Sequence, residues 1–495
     1  MNKQLKFLSR AVFAMFLVLF FSVTMIQFVN ADELRNNPLN QRTIKNGYKV
    51  ERGSIIVDGE PVAFSTPTQD TFRYLRSYDP GALYAPVTGY YSRQQGMTGL
   101  EAAMNKELTG NADGQFFTRI QNTLNGVKPQ GSSIDTTING KVQQAAYEAM
   151  QEYSFEGAVV ALEPKTGRIL ALVSTPSYDP NLLSSNDDSE IIANYETLSA
   201  AELQPLMNRA IAGDLYHPGS VYKLVTAAAA IESGAAKPST EFANPASLTL
   251  PQSNAVMRNS DQQTCGTGSK ASLETAIMYS CNIPFAEMAM DMDKDEVPKM
   301  ARAFGFEQDL TIPLEVTPSV APVPLDKAQV ALSSIGQLDV RTTPLQVAMV
   351  SAAIANGGKV MTPQLVDRVI APDLRVEQEF DPEELSQPVS PETAQAITGM
   401  MEKGVSDSTG FAHLSGIDGV RVAGKTGTAQ TGIDANGNDL PYTLWYTGFA
   451  PVDDPKVAVA VVIANGGGES FDFQGGSYEL PTVVGKRVME AVLNG

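Results

Sequence analysis

A serine, Ser220, stands three residues before a lysine, Lys223, in the stretch DLYHPGSVYKLVTAAAAIE that runs from Asp214 to Glu232. That spacing is close to one helical turn, so both side chains project from one face. A serine hydroxyl is a weak nucleophile until a base removes its proton, and a lysine whose amine is held neutral can be that base. The same residues also fit ordinary helix architecture. Pro218 suits a first turn, Ser220 suits a cap for free backbone donors, and the alanine run behind them propagates well. The pair alone does not separate a nucleophile from a cap.

Two further clusters bear on the choice. KTGTAQ begins at Lys425, and on a strand the period of two places the hydroxyls of Thr426 and Thr428 on one face, while Gly427 admits close approach of another backbone. A second KTG, at Lys165, is explained as a hairpin turn, which shows how little the tripeptide says by itself. SCN, Ser280 to Asn282, follows a helical run and is expected on a loop that presents a hydroxyl and an amide together. Weight comes from order and spacing: SxxK at 220, SxN sixty residues on, KTG on a predicted strand after that. That trio belongs to serine acyl-transfer enzymes acting on penicillin-like and peptidyl substrates.

The elements that must hold these residues are visible in outline. From Ser132, SSIDTTINGKVQQAAYEAMQEY predicts a strand, a turn at Asn139 and Gly140, and an amphipathic helix. GAVVALEP, KTG and RILALVS, from Gly157 to Ser174, predict a hairpin. Helical stretches dominate the 200s and 300s. VRVAGKTGTAQ, LWYTGFAP and VAVAVVIAN predict three more strands, and TVVGKRVMEAVLN a closing helix. Strands from both ends with helices between them predict one α/β domain whose sheet joins the two ends of the segment. Ahead of it, Asp32 to about Gly131 reads as an irregular α+β module with β-like runs such as GSIIVDGEPVAFS.

The chain has 495 residues, enough for two or three domains, and a formal net charge of −19, which argues against a general nucleic-acid binder. Two histidines, His217 and His413, and two cysteines argue against a His- or Cys-rich metal cluster. Lys3, Lys6 and Arg10 precede an apolar run, Ala11 to Val29, long enough to cross a bilayer as a helix with its basic side in the cytoplasm. An uncleaved anchor is expected. The alternative is a signal peptide cut near Val29 and Ala31.

The chain resembles the class B penicillin-binding proteins. The resemblance rests on NPLNQR at Asn37, ERGSIIVDGE at Glu51, APVTGYYS at Ala85, DTTINGKVQQAA at Asp135, GAVVALEPKTGRILALVSTPSYDPN at Gly157, SIGQLDVRTTPLQVAMVSAAIANGG at Ser334 and WYTGFAP at Trp445. It implies a multidomain α/β chain with a transpeptidase, serine β-lactamase-like fold: an antiparallel sheet flanked by helices, a smaller N-terminal module and one transmembrane helix. The expected division is a tail (1–10), an anchor (11–30), a non-catalytic module (31–131) and a transpeptidase domain (132–495).

The implied reaction transfers the acyl group of a stem peptide ending in D-Ala-D-Ala to Ser220, then to an acceptor amine. Lys223 would be the base, its amine kept neutral by the helix dipole and the ammonium of Lys425. Ser280 would relay a proton, with Lys425 behind it, and Asn282 would hold the substrate backbone. Backbone amides of Ser220 and Thr428 would form the oxyanion hole. Thr426, Gly427 and Thr428 would bind the terminal carboxylate. β-Lactams should acylate Ser220. No cofactor or metal is implied, and glycan polymerisation is left to a partner protein.

A D,D-carboxypeptidase or β-lactamase is the rival reading. Glu315, in PLEVTP, lacks the companions of a deacylating glutamate. A non-catalytic sensor would need further membrane spans or an effector domain. His217 departs from the proline or small residue that often precedes PGS in the family, and its expected role is that of a hydrogen-bonded loop histidine. Cys265 and Cys281, sixteen residues apart in an oxidising exterior, are expected to form a disulfide that fixes the loop carrying Ser280. The alternative is a buried free thiol at Cys281 with Cys265 exposed.

Overall fold

The computed structural model describes residues 2–30, 34, 50–70, 72–111, 130–213, 215–260, 263–468, 476 and 479–495. The apolar N-terminal run is helical from Asn2 to Thr24 (α1) and continues as a π turn over Met25–Val29. The helix therefore starts ahead of Ala11, through Lys3, Lys6 and Arg10. Among the described residues it is the one helix long and apolar enough to cross a membrane, and nothing packs against it. Ala31 and the stretch NPLNQR lie outside the described residues.

Beyond it, Ile55–Val57 (β1), Glu60–Pro67 (β2) and Tyr74–Tyr78 (β3) form an antiparallel meander. β1 also pairs in parallel with Ser133–Thr136 (β4), Ile55 opposite Ile134. The sheet thus crosses residue 132, where the sequence places the start of the second unit. It then continues into Val366–Ile370 and Val376–Glu379, so that six short strands from three distant segments share one ladder. A cavity of about 520 Å³, lined among others by Pro86, Met97, Leu206, Ile211 and Pro313, lies where this part meets the rest, and none of the motif residues lines it.

A buried charge cluster holds the outer part together. The Glu101 carboxylate accepts from Arg52 Nε and Arg76 Nε, while Arg52 Nη1 donates to Asn105 Oδ1 at 2.7 Å and Arg76 Nη1 to the Gly53 carbonyl at 2.9 Å. All three charged side chains are buried. Burial alone would push the Glu101 carboxyl up; Arg76 and Arg52 outweigh it and hold the group below its ordinary range.

The second sheet carries the site. Asn139 is more than a turn residue: its side chain accepts from Val142 N and caps Gly140–Gln151 (α2). Gly157–Leu162 (β5) and Ile169–Thr175 (β6) form the expected hairpin around Gly167. Ala423–Ala429 (β7), Thr443–Ala450 (β8) and Val457–Ile463 (β9) complete an all-antiparallel sheet of order β7-β8-β9-β5-β6, which joins both ends of the domain as expected. Each of the central strands β5, β8 and β9 is buried along its whole length. Alternation still sorts the residues. Ala458, Ala460 and Val462 pack with Pro344–Ala355, whereas Val457, Val459 and Val461 pack with α2 and the closing helix Leu480–Leu493. Each fully buried valine or isoleucine contributes roughly 1.5–3 kcal/mol, so this sandwich is the main reservoir of stability.

Glu101→Ala leaves two buried guanidinium groups without a counter-charge, and is expected to destabilise the chain by about 3–5 kcal/mol. Urea unfolding of the detergent-solubilised protein measures it. A loss below about 1 kcal/mol, the ordinary effect of a point change, contradicts this account of the cluster.

Candidate active site

Ser220 lies in a 3₁₀ turn, Gly219–Tyr222, and the α-helix behind it, Lys223–Glu232 (α3), begins only at Lys223. Ser220 makes no capping hydrogen bond, so the helix-cap reading of this serine does not hold. The turn depends on Gly219. Its φ is +53°, and a Cβ there would stand 2.5 Å from the Thr428 carbonyl oxygen of β7. Its amide donates to the Gly336 carbonyl at 3.0 Å, which ties the turn to SIGQ from the opposite side. Gly427 admits the matching approach from the strand, since a Cβ there would meet Val221 N at 3.0 Å. All residues from Lys223 to Ala230 are buried, which makes α3 the central helix of the domain.

Ser280 is placed by a helix ending. Leu273–Met278 (α4) stops in a Schellman motif: Ser280 N donates to Ile277 O and Cys281 N to Ala276 O, with Ser280 itself at φ +57°. Glycine is the usual residue there. A serine in the left-handed region costs about 1 kcal/mol, and the chain carries that strain where a hydroxyl is useful. The Ser280 Oγ accepts from Lys425 Nζ at 2.7 Å. Cys281 points inward and is bonded to Cys265, with a Cα separation of 5.7 Å.

Asn282 sits at the N-cap position of Ile283–Asp291 (α5) yet does not cap it. Its Oδ1 is taken by Lys223 Nζ at 2.7 Å, and its Nδ2 donates to the Arg258 carbonyl at 2.7 Å. The cap comes from elsewhere. Asn259 Oδ1 accepts from Asn282 N at 2.9 Å and Ile283 N at 3.1 Å. Nothing in VMRNSD marks Asn259 in the sequence; its role exists only because Asn282 is otherwise engaged.

Lys223 Nζ is where the pieces meet. It lies 3.0 Å from Ser220 Oγ, 2.7 Å from the Ser280 carbonyl and 2.7 Å from Asn282 Oδ1, with the Phe285 ring 5.6 Å away. Two of the three partners are acceptors only. A neutral amine has two N–H donors and one lone pair, so donors to both carbonyl oxygens leave the lone pair facing the Ser220 hydroxyl. The charge state agrees. Burial, and after it the charge of Lys425, hold Lys223 well below the ordinary lysine range. Burial is thus the leading cause; of the two that the sequence suggests, the helix dipole and Lys425, the charge of Lys425 contributes after it. Burial also lowers Lys425, to about 7, without a second repulsive contribution.

In β7 the register sets Thr426 opposite Tyr446 and Thr428 opposite Leu444, so the two threonines share one face, and Lys425 and Gly427 share the other. The control tripeptide behaves as expected: Lys165 is exposed in the hairpin turn and pairs with Asp454. Glu315 is exposed on a two-residue strand. Carboxylates of Asp293, Asp295 and Glu296 cluster at the surface, and Lys299 neutralises two of them, at 3.0 Å and 3.3 Å.

Two family models match the chain: the penicillin-binding protein transpeptidase domain over residues 157–490 and the penicillin-binding protein A dimerisation domain over residues 52–134. The peptidoglycan D,D-transpeptidase PbpA of Mycolicibacterium smegmatis is 40% identical over 497 residues, covering 100% of this chain and 99% of that protein. The structure of penicillin-binding protein A from Mycobacterium tuberculosis as a ceftriaxone acyl-enzyme superimposes with a TM-score of 0.86 at 38% identity, covering 90% of this chain and 99% of that one. Its penicillin G acyl-enzyme gives 0.84 at 38% identity, covering 90% and 100%.

If Ser280 is retained for its hydroxyl, Ser280→Gly and Ser280→Ala separate chemistry from backbone strain. Both are expected to slow acylation by a fluorescent penicillin. In thermal unfolding the glycine variant should exceed the alanine variant by about 1 kcal/mol, because glycine relieves the positive φ. Equal stabilities, or an unchanged acylation rate in either variant, contradict the assignment.

Proposed function

The chain belongs to the penicillin-binding protein transpeptidases, and from that premise we propose that it is a peptidoglycan D,D-transpeptidase whose acyl-enzyme forms on Ser220. The observation that carries the reading is the buried Lys223 amine, 3.0 Å from Ser220 Oγ and 2.7 Å from each of two carbonyl oxygens, whose lowered proton affinity suits a base.

Ser220 Oγ attacks the penultimate D-Ala carbonyl as its proton passes to Lys223 Nζ. The oxyanion faces the backbone amides of Ser220 and Thr428, donors generally worth roughly 3–4 kcal/mol each. The C–N bond then breaks, and D-alanine leaves as its nitrogen takes a proton through Ser280, with Lys425 behind it. Thr426 and Thr428, on the edge strand that Gly427 brings against the nucleophile turn, grip the terminal carboxylate. Asn282 holds Lys223 in the free protein and aligns the substrate backbone on binding. An acceptor amine attacks the ester, restores Ser220 and leaves a cross-link. β-Lactams occupy the same path and stop at the ester.

Residues 1–10 form a cytoplasmic tail, 11–30 the anchor, 31–131 a non-catalytic module and 132–495 the transpeptidase domain on the outer side of the membrane. The basic residues ahead of the apolar run and the disulfide both support that orientation. A separate glycan polymerase supplies the strands that are cross-linked.

A fluorescent penicillin is expected to label the wild type and leave Ser220→Ala unlabelled; equal labelling would remove both nucleophile and family chemistry. With a stem-peptide thioester and a D-amino acid acceptor, aminolysis should exceed hydrolysis. Hydrolysis that persists at saturating acceptor would make the protein a carboxypeptidase instead.

A further inference from the structure

His217 precedes the nucleophile turn by one proline, and its ring is engaged by a residue far along the chain. Arg341 Nη1 lies 2.7 Å from His217 Nδ1 and also donates to the Leu338 and Val340 carbonyls. The surrounding backbone is doubly tied to the same segment. Tyr216 and Thr342 exchange amide hydrogen bonds at 3.1 Å and 2.8 Å, and Gly219 N donates to Gly336 O. Trp445 Nε1 donates to the His217 carbonyl at 2.9 Å. Residues 334–342 therefore run along the back of 216–220, and the histidine ring is their one titratable link among the described residues.

A guanidinium has donors only, so Nδ1 of His217 must offer its lone pair. The ring is then neutral, with its proton on Nε2. His413 is the converse: its Nδ1 faces the Gly410 carbonyl at 2.8 Å, an acceptor only, and must carry the proton. The chain contains these two histidines and no others.

We propose that His217 is a positioning residue for acyl transfer: its neutral ring, accepting from Arg341, latches the nucleophile turn to residues 334–342, and protonation of the ring opens the latch and slows acylation of Ser220. Protonation would set two donors and two positive charges face to face. Burial first, then Arg341, push the imidazole below its ordinary value of 6.5; the Val340 carbonyl and Asp339 push the other way and lose. Among the described residues, Arg341 and Asp339 are the charged groups acting on the ring, and β8 contributes only the neutral indole of Trp445. The latch is thus closed at neutral pH and opens on acidification.

The inference rests on Ser220 carrying the acyl group, but its first test does not. In the detergent-solubilised full-length chain labelled with ¹⁵N-histidine, His217 should appear as the neutral Nε2–H tautomer at pH 7.5 and charge only below its ordinary value. A His217 ring that is protonated at neutral pH, or that carries Nδ1–H, overturns the proposal. The second test is the pH dependence of acylation by a fluorescent penicillin. In His217→Asn the amide oxygen can accept from Arg341 and does not titrate, so its rate at pH 7.5 should stay within about threefold of wild type. His217→Ala removes the acceptor and should lose roughly tenfold or more. As pH falls, wild type and the H217N variant share the limb set by Lys223, but the wild-type rate should fall more steeply. Parallel profiles for wild type and H217N, or equal losses in the asparagine and alanine variants, reduce His217 to packing and overturn the proposal. Failure of the Ser220 reading shows separately, as labelling of Ser220→Ala.

Discussion

A lysine amine shut away from the protein surface is the constraint on which the rest of this domain depends. Lys223 is fully buried, and its nitrogen touches a hydroxyl and two carbonyl oxygens contributed by three different positions. An ammonium in that setting would need far more compensation than two carbonyls provide, so burial favours the neutral amine. Every neighbouring feature serves this arrangement. The Schellman ending of α4 turns the Ser280 carbonyl toward Lys223 while its hydroxyl meets Lys425, so one residue touches both lysines through different atoms. Asn282 is drawn off its own helix to complete the set, and Asn259 caps the helix in its place.

Much of this was legible in advance, and the reasons differ by element. β5, β6 and β9 are runs of small and aliphatic residues, and β8 is a run rich in aromatic residues, each bounded by turn signals, so local pattern and tertiary role agree. The three motifs were legible through order alone, because each is placed by a different element and none needs its neighbours in sequence. The six-stranded sheet was not legible. Its strands are short, and Ile55 finds Ile134 across a gap that no period reports. Asn259 and Arg341 were missed for a related reason. A single polar residue carries no pattern, and what recruits it is a vacancy created by another side chain. Lys223 shows a subtler limit: of the two causes the sequence suggests for a neutral amine, the charge of Lys425 contributes, but the larger one, burial, is not legible, since sequence does not reveal how completely a lysine on an alanine-rich helix will be covered.

Close approach, rather than charge, sets the geometry between the turn carrying Ser220 and the strand β7. Gly219 and Gly427 line the seam between the 3₁₀ turn and β7, where a Cβ on Gly219 would meet the Thr428 carbonyl and one on Gly427 would meet Val221. Gly336 closes the third side, where a Cβ would lie 2.3 Å from the Gly219 carbonyl. A turn held on three sides by backbone can keep Ser220 in place without help from its own side chain. That leaves the hydroxyl free to react.

The site is a local deficit in an otherwise well-packed domain. Holding the Lys425 proton at about 7 instead of 10.5 costs roughly 5 kcal/mol at neutral pH, at about 1.4 kcal/mol per decade. Between those two values the unfolded chain binds more protons than the folded one, so this penalty shrinks as pH rises and is complete only below the folded value. Lys223 adds a deficit of the same sign, and Ser280 about 1 kcal/mol more. Against a total stability of roughly 5–15 kcal/mol these are not small corrections. The surplus comes from the five-stranded sheet and its two helical layers, where strand after strand is buried on both faces. That is a physical reason for a topology in which the sheet is assembled from both ends of the domain. Helix α3 sits between segments already fixed by long-range pairing, so two buried lysines of lowered proton affinity and a strained serine can be tolerated at its mouth.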